Sequence, residues 1–102
     1  MSAGSLSLVE ALKWRLQVVQ EMSSVQSRHL LNRQLGGGAE FEIQRIEREI
    51  TATGGSEGLA ASLQDARARL QGANAAMEAC DTEFAALELQ LEDLDRRIAG
   101  AR

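Results

Sequence analysis

Residues 34–58 read "QLGGGAEFEIQRIEREITATGGSEG", and the fold turns on what the glycines in this stretch do. Six of the chain's nine glycines lie here, and proline is absent throughout. Three consecutive glycines would cost a helix about 3 kcal/mol relative to alanine. Gly36–Gly38 are therefore expected to interrupt a helical chain, and Gly54–Gly58 to interrupt it again. A phosphate-binding loop is excluded, because neither GxxxxGK[ST] nor GxGxxG occurs. Both clusters read as turns.

Beyond the second cluster, Leu59, Leu63, Ala66, Leu70, Ala73, Met77, Cys80, Phe84, Leu87, Leu91, Leu94 and Ile98 are spaced alternately four and three apart. That repeat holds one apolar seam against a partner helix, the condition for a coiled coil. Ser56 stands where a helix cap belongs, and Gly100 where a left-handed residue would end the helix. Gly72 and Asn74 weaken the middle without shifting the phase.

Before the first cluster, Ser7 and Glu10 have the spacing of a capping box. Val9, Leu12, Leu16 and Val19 form the expected seam, which then meets Ser23 and Gln26 before Leu30. Met22 and Val25 offer a neighbouring stripe, so the apolar face drifts round the helix and predicts contact with more than one helix. Trp14 lies off the seam, as a rim contact or an exposed anchor. Between the clusters, Ile43, Ile46 and Ile50 follow helical spacing. The alternation in "EFEI" and the strand formers of "REITAT" leave a small β-hairpin over 40–53 as the alternative, with helix favoured by the Glu, Gln and Arg around them.

Two all-α architectures satisfy these constraints. One is an elongated three-helix bundle, reversing at both glycine clusters around a short middle helix. The other is a kinked antiparallel coiled-coil hairpin, in which an arm over 5–53 folds back at "GGSEG". Either is a single helical domain over 1–102, with 1–6 and 100–102 expected to fray.

Composition narrows the function classes. Of 102 residues, 44% are hydrophobic but only 3% aromatic, the signature of long helices with little material to line a ligand pocket. No run approaches the roughly 20 apolar residues that span a bilayer, and "MSAGSLS" lacks the form of a signal peptide. The one cysteine forms no internal disulfide and no Cys-based zinc site. A cytoplasmic protein without a membrane partner is expected. The net charge of −4 is uneven. Residues 1–36 carry Lys13, Arg15, Arg28 and Arg33 against Glu10 and Glu21, a net +2. Residues 57–99 carry Glu57, Asp65, Glu78, Asp81, Glu83, Glu88, Glu92, Asp93 and Asp95 against four arginines, a net −5. This polarity suits an antiparallel pairing and argues against nucleic acid, which needs a basic stripe.

The candidate chemistry is sparse. His29 has Asn32 and Arg33 where a metal-ligand partner would stand, and reads as a surface or seam-edge side chain. Cys80 sits in the seam between Met77 and Phe84, where a small thiol packs. Arg96 and Arg97 complement the last helix's dipole. No catalytic residue, cofactor or metal is expected, and an enzyme is not. One basic group stands out. Arg28 and Arg33 precede Gly36–Gly38, and Arg45 and Arg48 follow. A reversal there would gather the four at one end, where they could grip an acidic partner segment by bidentate contacts. Salt bridges to Glu40, Glu42, Glu47 and Glu49 are the competing reading. Monomer and homodimer both remain open.

Residues 41–50, "FEIQRIEREI", following a helix with "ALKWRL", give the chain a likeness. It resembles tubulin-binding cofactor A, a family of chaperones that hold β-tubulin during microtubule biogenesis. That family opens its second helix with an aromatic, an acid, an aliphatic and then basic or polar residues; Phe41, Glu42, Ile43, Gln44 and Arg45 fill those places. The chain departs from the family in having "TGGSEG" where the second helix carries a proline. The resemblance implies three helices, a non-enzymatic tubulin-folding role, and Phe41 beside the arginines as partner-binding residues. From another class, the chain is also similar to the small helical hairpins of type III secretion and flagellar export, which are alanine- and arginine-rich and poor in proline. These would make it a structural stalk or adaptor.

Overall fold

The computed structural model describes residues 6–101. The chain is all-α: helix α1 spans Leu8–Thr53 and helix α2 spans Glu57–Ala101, joined by a three-residue turn of Gly54, Gly55 and Ser56 in an antiparallel helical hairpin. Residues 40–53 are helix, and the described residues contain no strand.

The turn is built as its residues dictate. Gly54 and Gly55 have φ of 84° and 85°, a left-handed region that side chains avoid. The Gly54 amide donates to the Ile50 carbonyl at 2.8 Å, closing α1 with a left-handed cap. Ser56 then starts α2, its hydroxyl oxygen accepting from the Leu59 amide at 3.1 Å. At the start of α1, Ser7 Oγ accepts from the Glu10 amide at 3.1 Å. The same hydroxyl donates to the Glu10 carboxylate at 3.2 Å, a variant of the expected capping box.

The expected break at Gly36–Gly38 does not occur. Helix α1 runs through all three, so the hairpin holds and the three-helix alternative falls away. Gly36 is buried in the seam, where a Cβ built on it would lie 3.5 Å from the Ala73 Cβ and 3.8 Å from Leu70 Cδ1. The helix therefore gains close packing at this point. Stopping and restarting it would also need a second, costly nucleation. Tertiary contact outweighs the intrinsic penalty. Gly58 and Gly100 lie inside α2 as well, so Gly100 does not end that helix. Of the ends expected to fray, Leu6 packs against the core cluster, whereas 1–5 and 102 lie outside the described residues.

Two compact units make up the fold. In the first, 6–27 pairs with 80–101. Ala11, Val18 and Val25 are buried against Cys80, Leu87, Leu94 and Ile98, with Leu6, Met22, Phe84 and Leu91 packed around them. In the second, Arg28–Ala79, Ala39 and Ile46 are buried with Ala66 and Ala73. Half-buried Ile43, Ile50, Leu59, Leu63, Leu70 and Met77 flank them. Every α2 position expected in the seam is buried or half-buried.

The α1 seam is a different matter. Val9, Leu12, Leu16 and Val19, expected inside, are exposed, and Leu30 with them. The true row is Ala11, Val18, Val25, Asn32, Ala39 and Ile46 at seven-residue intervals, with Met22, His29, Gly36 and Ile43 between them and Ile50 beyond. The unbroken helix explains the phase. Since α1 does not stop at Gly36–Gly38, Ile43, Ile46 and Ile50 dictate which face turns inward all the way to its start. The 9, 12, 16, 19 row, extended in the same phase, runs into Arg33, Glu40 and Glu47 and could not stay buried.

Candidate docking surfaces

Within the first unit, α1 thus carries two apolar rows of different phase. One closes the hairpin. The other, Val9, Leu12, Leu16 and Val19, lies on its flank with Leu16 61% exposed. Leu12 lines a groove with Arg15, Asp95, Ile98 and Ala99, so this row borders α2. Arg15 occupies a seam position but keeps its guanidinium at the rim, donating to Asp95 at 2.7 Å. On α2, Glu88, Glu92 and Asp95 follow one another at four and three residues and share a helix face with Ala99. The first unit therefore presents a leucine- and valine-rich row beside an acidic one. The other flank holds Trp14, half exposed, in a groove with Leu6, Gln90, Asp93, Leu94 and Arg97.

Arg28, Arg33, Phe41, Arg45 and Arg48 all lie in the second unit, on α1. They do not gather. With no reversal at Gly36–Gly38, Arg28 and Arg48 are 20 residues apart on one helix, about 30 Å along its axis. Arg28 and Arg33 fall on opposite flanks of the seam. Phe41, Arg45 and Arg48 do share a face, being four and three residues apart, and Phe41 is 66% exposed there. Arg45 reaches Glu49 at 3.9 Å. Arg48 lines a groove with Gln44, Glu47, Thr51 and Ala52. The expected four-arginine patch is thus reduced to one aromatic and two arginines.

Of the glutamates considered as competing partners, Glu42 and Glu47 bond across to α2. Arg69 donates to Glu42 at 2.7 Å and to Asp65 at 3.0 Å, and these bonds, Glu42 first, raise its pKa above the ordinary arginine value. Arg67 meets Glu47 at 3.8 Å. These pairs tie the helices' rims together.

His29 is half-buried in the α1 seam, and Cys80 is buried in the first unit's core. Among the described residues, no group of three or more His, Cys, Asp or Glu is placed to hold a metal ion. No helix among them is long and apolar enough to cross a membrane. No family model, curated protein or solved structure matches the chain. The exposed row on α1 is what the sequence reading missed as a surface. Its signal lies in the two competing phases, Val9-Leu12-Leu16-Val19 and Met22-Val25, which in sequence resemble one drifting face.

Proposed function

We propose that this chain is a non-enzymatic, cytoplasmic binding protein, a helical-hairpin adaptor or stalk of the kind found in type III secretion and flagellar export. The observation that supports it is the second apolar row of α1, left exposed once the first has closed the hairpin. A contiguous exposed apolar row is the kind of feature that serves as an interaction surface, and a helix that uses one face internally and keeps another free is the arrangement a scaffold needs. Titrating the purified chain with an export-apparatus ATPase complex and, separately, with β-tubulin tests the choice. Binding to the ATPase complex and none to tubulin is the expected result.

A tubulin-cofactor role is the second reading, favoured by Phe41 with Arg45 and Arg48 on one exposed face. An acidic tubulin segment would bind there. Tubulin binding that is lost in Arg45→Glu with Arg48→Glu, and weakened by salt, would reverse the order of the two readings.

A further inference from the structure

The first unit's flank points to the chemistry of a partner. Resting on the binding-protein reading above, we propose that the flank carrying Val9, Leu12, Leu16 and Val19 of α1 and the row Glu88, Glu92 and Asp95 of α2 docks a helix of another protein. That helix is amphipathic, with an apolar stripe and a basic flank.

The spacing of the α1 row is the first ground. Val9, Leu12, Leu16 and Val19 are three, four and three residues apart, and Ser23, Gln26 and Leu30 continue the same phase. This is the repeat by which a helix presents a seam to a second helix. It is independent of the phase already used against α2. Over 6–27, α1 thus carries a second apolar row, and that row is exposed.

Charge is the second ground. Asp95, already paired with Arg15, borders the groove beside Leu12 and Ala99, and Glu92 and Glu88 precede it along the same face. Among the described residues, neither Glu88 nor Glu92 takes part in an ion pair. Over 6–27 and 80–101, Glu10, Glu21, Asp81, Glu83, Glu88, Glu92, Asp93 and Asp95 oppose Lys13, Arg15, Arg96 and Arg97, a net −4. A second copy paired through this same flank would set one acidic row against another. A partner helix with lysine or arginine along one edge would place its apolar stripe on α1 and its charge against α2.

The test uses the full chain and two synthetic helical peptides of about three heptads. Both carry a leucine seam; one has lysine along a single flank and the other glutamate there. Fluorescence anisotropy should show the lysine peptide binding at least about tenfold more tightly at low salt. Leu12→Ser with Leu16→Ser should remove that binding while circular dichroism stays helical, since both side chains are exposed. Glu88→Lys with Glu92→Lys should invert the preference between the peptides. Equal binding of the two peptides, or lysine-peptide binding that survives the Leu12→Ser and Leu16→Ser change, would overturn the proposal. So would a dimer in sedimentation equilibrium that Leu16→Glu dissociates, which would give the face to a second copy. Binding to neutral lipid vesicles that the leucine changes abolish, with neither peptide bound, would give it to a lipid surface. Partner binding in the titrations above that is unaffected by the leucine changes would overturn this inference alone and leave the adaptor reading standing.

Discussion

At the scale of single residues, the glycines divide by backbone conformation. Gly54 and Gly55 need their left-handed φ, so Gly54→Ala should destabilise the hairpin by about 1–2 kcal/mol. Gly37 and Gly38 are helical and exposed, with nothing within 4 Å of where a Cβ would go. Alanine there removes backbone freedom from the unfolded chain and adds no clash. Gly37→Ala and Gly38→Ala should each stabilise by about 0.5–1 kcal/mol. Urea denaturation midpoints check both signs; a loss of stability at Gly37 and Gly38 would mean that the helix does break there. A list of amino acids cannot separate the two classes, because intrinsic propensity penalises glycine equally in both. The separation comes from Ala73 and Leu70 lying against Gly36, a contact some 35 residues away in the chain.

At the scale of an element, α1 and α2 differ in how plainly their sequences announce their inner face. α2 has a single apolar phase over its whole length, and each of its expected seam positions is covered. α1 has two. Ile43, Ile46 and Ile50 select between them only if the helix is continuous, so the face α1 buries depends on whether it breaks at Gly36–Gly38. A pair of substitutions reads the phase directly. Leu87→Ala, at a position 4% exposed, should cost about 2–4 kcal/mol. Leu16→Ala, on the uncovered row, should change stability by no more than about 0.5 kcal/mol. A large loss at Leu16 in chemical denaturation would put that row in a core. The caps should behave alike: Ser7→Ala and Ser56→Ala each remove an acceptor for a helix-terminal amide and should cost about 1 kcal/mol. The rim ion pairs matter less individually. Arg15–Asp95 is substantially exposed, and such pairs contribute roughly 0.2–1 kcal/mol.

At the scale of the whole molecule, charge and exposed apolar surface act together. The net charge of −4 opposes self-association at neutral pH, and it vanishes near the pI of about 5.0. Turbidity should therefore rise as pH falls toward 5, and Leu12→Ser with Leu16→Ser should reduce it by removing apolar surface; light scattering across that range checks the effect. The helical class, the reversal at Gly54–Gly55, both N-terminal caps and the whole α2 seam followed from the sequence alone. Each depends on residues close together in the chain, whose spacing and conformational preferences act locally. Only the tertiary structure decided the continuity of α1, the face it buries, and the scattering of Arg28, Arg33, Arg45 and Arg48 along one helix. Those depend on which residues of α2 lie opposite, and a glycine run that would end an isolated helix is held helical by what packs against it.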